Sequence, residues 1–437
     1  MNSEALQHFD RASQLAARGQ LRKALAHFRT VTKLAPRAPA GWSNRANLAA
    51  RLGVLDEPET CYRKAILLAP CEEKYKVRLG FLLIGQARLD EADALFANAT
   101  SPMAVCGRAQ VLEARGKLPE ALTQIQEVLH LCREQPRIGV IFARLARRLG
   151  EPQEGAALLA AMPESTEGLF EQGRCLDAAG RFDEAWACFV KANRSTGSFN
   201  IEAFQRSVLA ERQALRSWTS TTDGSRMVFI VGMPRSGTSL LEQALSRHPG
   251  VTAMGEREVV PRMAREMAAA GWPDLRPEQL DALAARYLEG LPESGLITDK
   301  MPGNWRHLGL IRQMLPGATI VHCIRDVQDC LLSNFMQNYN STALGWSTSL
   351  EGLKAYRSAW SSADIGGHEV HYEEMVTQPE QVIPDLLARL GLPDHAACLK
   401  PEESERLVAT ASYAQVQKPI HTKSIGRAQA YRRYLAA

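Results

Sequence analysis

The sequence predicts two architectures in one chain: an α-solenoid of paired helices, followed by an α/β domain with a central parallel sheet. Three observations lead to this expectation. Before about residue 198 the chain shows almost no strand pattern, and small residues recur at a spacing near 34. Residues 227–231 form a short apolar run typical of a buried parallel strand, followed by a glycine-flanked loop and a helical pattern. At 437 residues, the chain is also too long for a single ordinary core.

The first part of the chain repeats a helix–turn–helix pattern. Small residues at the turns and five positions later let two helices approach closely, and Phe28, Tyr62, Phe96 and Phe189 fill the space beside them. The turn positions are Gly19, Gly53, Ala87, Gly116, Gly150 and Gly180, and the positions five later are Ala24, Pro58, Ala92, Ala121, Gly155 and Ala185. This pattern resembles a tetratricopeptide-repeat domain of about six repeats over residues 1–197.

Two repeats depart from that pattern, and the function of the array stays open. Pro58 and Gly155 stand where alanine is expected, so the second helix of the Pro58 repeat is predicted to start late. Stacked repeats leave a concave face that commonly holds peptides or protein surfaces. The alternative is that the array scaffolds the next domain or forms a homodimer. Residues 199–218 are predicted to form one more helix, and the polar residues 219–225 end a linker that spans residues 198–225.

The loop after the first strand has the composition of an anion site. Its glycines, Gly232-x4-Gly237, have P-loop spacing, but Thr238 stands where a P-loop places lysine. The cation is Arg235, inside the loop, whose planar fork suits a phosphate or sulfate oxyanion. Backbone N–H groups and the helix dipole would point at the same anion. A generic strand–turn–helix is the alternative interpretation, and a P-loop kinase or NTPase would need the missing lysine.

The residues that follow narrow the family. The run from Pro234 to Thr238, the His248-Pro249 step and Gly255-Glu256-x3-Val260-Pro261-Arg262 together resemble tyrosylprotein sulfotransferases, which bind 3′-phosphoadenosine 5′-phosphosulfate (PAPS). The resemblance covers most of residues 226–437. It implies that Glu256 is the base acting on the acceptor tyrosine, in preference to His248, which stands in a helix-ending His-Pro step. A solvated surface carboxylate is the alternative. It also implies that the 5′-phosphosulfate is cradled by Arg235, Ser236, Gly237, Thr238 and Ser239.

Other predicted site residues stand at the ends of further strands. Lys300 follows a short strand over residues 295–299, and Arg325 follows a strand over residues 319–324, with Asp326 as the N-cap of the next helix. The resemblance implies that Lys300 meets the transferring sulfuryl group and that Arg325 and Ser333 hold the 3′-phosphate. Tyr372, in a Tyr-Glu-x-x-Val pattern, is implied to lie by the nucleotide. The alternatives are an exposed lysine, an arginine paired with Asp329 and a packed tyrosine.

The C-terminal tail also carries predicted site residues. It resembles the nucleotide-covering loop of the same family, which implies that Ser412 stabilises the sulfuryl oxygens and that Arg427 stands at a lysine position beside the 3′-phosphate. Arginine keeps the charge of lysine but not its point-charge geometry. A basic surface tail is the alternative.

Bulk properties limit the partners. The net charge of +4 is too small to indicate nucleic acid. The nine cysteines lack C-x-x-C pairs and zinc spacing, so we expect core thiols, a reducing compartment and no metal. No apolar run approaches the ~20 residues of a membrane span, and the N-terminus lacks the features of a signal peptide. We therefore expect a cytoplasmic protein without a membrane segment.

The sequence thus predicts a PAPS-dependent sulfotransferase over residues 226–437. Sulfuryl transfer moves a group with a single negative charge, which fits a loop with Arg235 and Thr238 in place of lysine and magnesium. Protein tyrosine is the first acceptor, with the repeats presenting a peptide, and PAP is the other product. A carbohydrate or small-molecule hydroxyl is the second choice. A third is a non-catalytic repeat scaffold that binds a nucleotide.

Overall fold

The chain divides into two structural units, residues 1–180 and 181–437. The computed structural model describes all residues except 53, 55–56, 195–198, 214–217, 340–341, 405–418 and 436–437, and the side chains of 342–343. The predicted order, a helical solenoid followed by an α/β domain with a parallel sheet, is confirmed. In the described part of the chain, no helix is long and apolar enough to cross a membrane.

The first unit is built from consecutive antiparallel helices. Each helix packs on the next, and α5, α7, α9 and α11 also pack on one another in series. The helices are α1 (Ser3–Ala17), α2 (Leu21–Leu34), α3 (Pro39–Arg51), α4 (Pro58–Leu68), α5 (Glu73–Gly85), α6 (Leu89–Phe96), α7 (Pro102–Ala114), α8 (Leu118–Val128), α9 (Pro136–Leu149), α10 (Pro152–Ala160) and α11 (Thr166–Ala178). This nearest-neighbour packing is that of a repeat solenoid.

Small residues set the spacing of these helices, as the sequence predicts. The ring of Phe96 is fully buried, and a Cβ added at Gly80 or Gly107 would come within 2.4 or 2.3 Å of it. Position 155 has glycine in place of the expected alanine for a similar reason, since a Cβ there would lie 2.9 Å from the backbone of Ala143. Replacing these glycines would therefore force neighbouring helices apart.

The turns between paired helices use left-handed backbone. The predicted turn residues have positive φ at Gly19, Ala87, Gly116, Gly150 and Gly180, while Gly53 lies outside the described residues. The second helix of a pair begins two positions after the turn at Gly19, Ala87, Gly116 and Gly150. Helix α4 instead begins at Pro58, five positions after residue 53. The late start follows from proline, which suits the first turn of a helix and cannot continue one from before.

The second unit opens with two helices that the sequence assigns to the repeats and the linker. Helix α12 (Phe182–Arg194) begins just after Gly180, and α13 is Ile201–Gln213. The predicted linking helix over residues 199–218 is therefore too long, because Asn200 caps α13 by accepting the N–H of Ala203 and Trp218 is not helical. Helix α13 packs on the domain through a stack of Phe204 on Tyr356.

The centre of the second unit is a five-stranded sheet. The strands are β1 (Met227–Gly232), β2 (Val251–Ala253), β3 (Leu296–Asp299), β4 (Thr319–Ile324) and β5 (His368–His371), all parallel, in the order β2-β3-β1-β4-β5. The helices around it are α14 (Thr238–Leu245), α15 (Val259–Ala269), α16 (Pro277–Leu288), α17 (Leu308–Met314), α18 (Val327–Phe335), α19 (Leu350–Ser361), α20 (Tyr372–Thr377) and α21 (Pro379–Arg389), and a final turn is Arg432–Leu435.

Both faces of strand β1 are buried, which explains its unbroken apolar run. Val228 and Ile230 belong to a core formed with β4, β5, α14, α20 and α21. Phe229 points to the other face, where its ring lies 5.7 Å from that of Tyr287 on α16. Chain connections from β1 and β4 leave in opposite directions along the sheet, so a crevice opens between their carboxyl ends.

Candidate active site at the carboxyl edge of the sheet

The loop after β1 is held in a strained conformation. Arg235 has φ +73°, a left-handed value that costs a non-glycine residue about 1–3 kcal/mol. Three bonds hold it: Asn334 Nδ2 donates to the Pro234 carbonyl, Arg325 Nη1 donates to the Arg235 carbonyl, and Arg235 Nε donates to Ser333 Oγ, each at 2.9 Å. The β4–α18 segment therefore fixes the loop and the direction of its cation.

The loop leads directly into α14. Gly237, with φ +98°, is the N-cap of this helix, and a Cβ there would lie 2.6 Å from the ring of Tyr372. The first N–H groups of a helix have no intrahelical acceptor and favour an anion. Thr238 and Ser239 stand at this first turn and are mostly buried. The hydroxyl of Ser236 faces inward, near Gly232, and this buried oxygen has no hydrogen-bond partner in the described structure.

Arg325 occupies the centre of the crevice between β1 and β4. Its guanidinium lies 4.6 Å from the centre of the Tyr372 ring, and its Nη2 donates to the Ser424 carbonyl. The same Nη2 is 3.7 Å from Asp329 Oδ2, so the predicted alternative of an Arg325–Asp329 pair is present as well. Arg325 is only 9% exposed, and within the described residues its Nε has no partner.

A C-terminal strap, residues 424–435, covers this arginine. Asp329 on α18 anchors the strap by accepting the N–H of Gly426 on Oδ2 and the N–H of Ala428 on Oδ1, both at 2.7 Å. These bonds place the backbone of Arg427 beside α18, with its side chain exposed. Ser412, the other predicted residue of the tail, lies outside the described residues.

Helix α12 holds the far end of the strap. The Trp186 ring stacks between Phe335 at 4.6 Å and Tyr434 at 4.8 Å. Tyr434 also donates its hydroxyl to Asp183 at 2.6 Å, and Asn193 donates to the Phe335 carbonyl at 2.9 Å. The end of α18 and the strap are therefore packed on a helix whose sequence resembles the last repeat.

Glu256 and Lys300 meet at the ends of β2 and β3. Lys300 Nζ lies 2.6 Å from Glu256 Oε1, and the lysine side chain is fully buried while that of the glutamate is 38% exposed. An ammonium has three N–H donors, so this contact uses one of them. The pair presents a carboxylate to solvent with a cation directly beneath it.

Tyr339 links this pair to the anion loop. Burial raises the pKa of Tyr339 to about 12, and its hydroxyl lies within the electrostatic influence of both Arg235 and Glu256. That hydroxyl donates to Asn334 Oδ1 at 2.8 Å. The charge of Arg235 lowers the pKa of this buried hydroxyl and that of Glu256 raises it.

A second carboxyl, that of Asp299, precedes Lys300 and is fully buried. Burial raises the pKa of Asp299 from 3.8 to about 7, because the charged form loses its hydration. The Tyr287 hydroxyl donates to Asp299 Oδ2 at 2.7 Å, while Oδ1 is buried without a partner in the described structure. The Arg257 guanidinium lies over the Tyr287 ring at 4.5 Å. This network packs the end of β3 against α16.

His248 has a structural environment. Its Nδ1 accepts the N–H of Gly250 at 3.0 Å, and its Nε2 lies 3.1 Å from the Pro393 carbonyl. Both ring nitrogens contact backbone groups, and the residue is 5% exposed. This environment suits a histidine that holds the turn before β2, as the His-Pro step predicts.

The crevice thus brings together residues that are up to 192 positions apart in the chain. The ends of β1 and β4 are surrounded by Arg235, Ser333, Arg325, Tyr372 and the backbone of Arg427. The ends of β2 and β3 carry Glu256 and Lys300. Sequence reasoning missed Asn334, Tyr339 and Glu242. Their contacts join distant segments, and no motif marks them.

Two family models match parts of the chain. Residues 227–396 match the model of the sulfotransferase family. Over these residues the second half of the chain is similar to sulfotransferase domains. Residues 9–69 match a tetratricopeptide-repeat model, so the two matches lie in different parts of the chain. The sulfotransferase match begins at β1 and includes Arg235, Glu256, Lys300, Arg325 and Tyr372.

Individual relatives are distant. An uncharacterized protein of Aquifex aeolicus (strain VF5) is 30% identical over 318 residues, which are 63% of this chain and 41% of that protein. Protein-tyrosine sulfotransferase 1 of Danio rerio is 26% identical over 233 residues, 46% of this chain and 65% of that protein. The chain thus spans less than two thirds of either relative. The solved sulfotransferase domain of the Synechococcus PCC 7002 olefin synthase has a TM-score of 0.33 at 20% identity, covering 50% of this chain and 98% of that chain.

Proposed function

We propose that residues 226–437 transfer a sulfuryl group from PAPS to the hydroxyl of a protein tyrosine. The observation that carries the proposal is the 2.6 Å contact between Lys300 and Glu256, at the same sheet edge as an anion loop that contains Arg235. A carboxylate base, a buried ammonium and an arginine-bearing loop are the groups that such a transfer needs.

The residues present fit PAPS. Two buried polar atoms near the loop, Ser236 Oγ and Arg325 Nε, are without partners in the described structure, as expected of groups that await a polar ligand. The first turn of α14 and Arg235 would hold the 5′-phosphosulfate, with Gly237, Thr238 and Ser239 forming its cradle. For the 3′-phosphate we propose Arg325, Ser333 and Arg427, and Tyr372 would border the nucleotide.

Each residue of the pair has a separate task in this proposal. Bound PAPS supplies an activated sulfuryl group, with PAP as the leaving product. Glu256 accepts the proton of the acceptor hydroxyl on its exposed carboxylate. Lys300, Arg235 and Ser412 donate hydrogen bonds to the sulfuryl oxygens and to the bridging oxygen that leaves. Because Lys300 is fully buried, water has little access to its ammonium, and its charge acts more strongly on a nearby anion than it would in water.

Tyrosine in a protein is the proposed acceptor for two reasons. The loop from Pro234 to Thr238 and the Gly255-Glu256 step resemble tyrosylprotein sulfotransferases, and the chain is 26% identical over 233 residues to one of them, protein-tyrosine sulfotransferase 1 of Danio rerio. Tetratricopeptide repeats commonly bind peptides, so the first unit could supply the acceptor. A carbohydrate or small-molecule hydroxyl remains the alternative acceptor.

The proposal is tested with ³⁵S-labelled PAPS and a pool of tyrosine-containing peptides. Glu256→Gln removes the base and should lower the rate by about 10²–10⁴-fold. Glu258→Gln, at a carboxylate two positions away whose side chain is 66% exposed, is the matched control and should stay within about threefold of wild type. Equal rates for Glu256→Gln and wild type would remove Glu256 from the mechanism. A second assay incubates the protein and labelled PAPS with a cell lysate. Label found only in small molecules of the lysate would overturn tyrosine as the acceptor.

A further inference from the structure

Glu242, on helix α14, is a fully buried carboxyl in the interior of the second unit. It stands four positions after Thr238, one helical turn from the anion loop. Its Oε1 accepts two hydrogen bonds at 2.9 Å, one from the N–H of Gly255 and one from the hydroxyl of Thr298. Burying a carboxyl is costly unless it is hydrogen-bonded, so these two contacts account for a residue that packing alone would not select.

Both contacts lie next to the proposed catalytic pair. Gly255 immediately precedes Glu256, and Thr298 stands two positions before Lys300. Gly255 has φ +68°, and its carbonyl accepts the N–H of Lys300 at 2.9 Å. Glu242 thus accepts the N–H of this glycine, while the backbone N–H of Lys300 donates to its carbonyl. The turn that presents Glu256 is therefore fixed from two sides.

The path from the anion loop to this turn is short and rigid. Helix α14 begins at the loop, and four residues of helix rise about 6 Å. The neighbouring strand ends are tied as well, because the Met254 N–H donates to the Thr298 carbonyl at 3.0 Å. One side chain thus connects the start of α14 with the ends of β2 and β3.

We propose that Glu242 is the positioning residue that sets the Glu256–Lys300 pair against the anion loop. The inference rests on the proposed sulfuryl transfer and adds a residue that acts through its contacts with Gly255 and Thr298. Loss of its acceptor oxygen should misplace the pair while leaving the anion loop intact. Positional errors of about 1 Å at a reacting centre can cost about 10²-fold in rate.

The test compares variants that keep or remove the acceptor oxygen. Glu242→Gln keeps it, Glu242→Met removes it at similar volume, and Thr298→Val removes the hydroxyl that donates to Oε1. The matched control for a threonine-to-valine change within the sheet is Thr319→Val, because Thr319 begins strand β4 at the sheet edge away from the site. Turnover of ³⁵S-labelled PAPS with the tyrosine-peptide pool, PAP binding and hydrogen exchange of residues 254–257 are measured for each protein.

We expect Glu242→Met to lower kcat at least 100-fold and Thr298→Val about tenfold, with KM and the Kd for PAP within threefold of wild type. Glu242→Gln should recover most of the rate, and exchange at residues 254–257 should speed up only in the Met and Val variants. Unchanged kcat in Thr298→Val and Glu242→Met, or a parallel loss of PAP binding, would overturn the inference. If Glu242→Met does not fold, Thr298→Val decides. A wild-type protein that neither binds PAP nor turns over PAPS would instead overturn the proposed function.

Discussion

Asp329 attaches the C-terminal strap, residues 424–435, to the proposed nucleotide site. It is 1% exposed, and its two oxygens accept the N–H groups of Gly426 and Ala428 at 2.7 Å while Oδ2 lies 3.7 Å from Arg325. Hydrogen bonds to a charged group are worth about 1.5–3 kcal/mol each. Asp329→Ala should therefore cost about 3–6 kcal/mol, since two such bonds are lost.

The loss of these bonds can affect the whole unit or the strap alone, and urea unfolding combined with hydrogen exchange separates the two outcomes. Either the whole second unit loses stability, or residues 424–435 detach and only the local contacts are lost. Urea unfolding followed by tryptophan fluorescence reports mainly on this unit, because six of the seven tryptophans lie in it. Hydrogen exchange of the strap and PAP binding report the local outcome. Arg325 loses its neighbouring carboxylate in both cases, but it loses its cover only when the strap detaches.

Asp326→Ala is the matched control for this experiment. Asp326 begins the same helix, but its side chain accepts a single N–H, that of Asp329, at 2.9 Å. Loss of such an N-cap costs about 1 kcal/mol. The reasoning is refuted if Asp329→Ala unfolds within 1 kcal/mol of wild type and the strap exchanges as slowly as before.

Three further changes test other parts of the structure. Wild type should lose up to about 4 kcal/mol of stability as pH rises from 4 to 7, because the folded state keeps a proton on Asp299 that the unfolded state loses. Asp299→Asn should remove this fall, which urea titrations of both proteins check. Gly237→Ala should weaken PAP binding at least tenfold in calorimetry, since a Cβ at φ +98° would lie 2.6 Å from the Tyr372 ring. Trp186→Ala should destabilise the second unit by about 3–5 kcal/mol in urea, because its stack with Phe335 is lost.

Local patterns in the sequence predicted much of this fold. The apolar run at β1 requires burial on both faces, and the strand over residues 319–324 and the N-cap at Asp326 are where the pattern places them. The helix after the repeats was predicted too long. Its residues are helical by period, but Asn200 caps the helix only at Ile201, and periodicity does not locate such an end.

The site was predictable wherever a residue stands at a strand end. Parallel strands place their carboxyl ends at one edge, so Arg235, Lys300 and Arg325 were expected to lie near one another. Contacts between distant segments were not predictable in this way. Glu242 lies on a short helix with no motif that marks it, and only the structure shows that its carboxyl reaches Gly255, 13 positions away.

PAP binding with and without Mg²⁺, compared with ATP–Mg²⁺ in the same calorimeter, tests the central claim most directly. The anion loop has Thr238 where lysine would serve a nucleoside triphosphate, and Arg235 and Arg325 supply its charge. We predict that PAP binds equally well with and without Mg²⁺, that it binds more tightly than ATP–Mg²⁺, and that Arg325→Ala weakens it at least tenfold. Tight, Mg²⁺-dependent ATP binding without PAP binding would contradict the account.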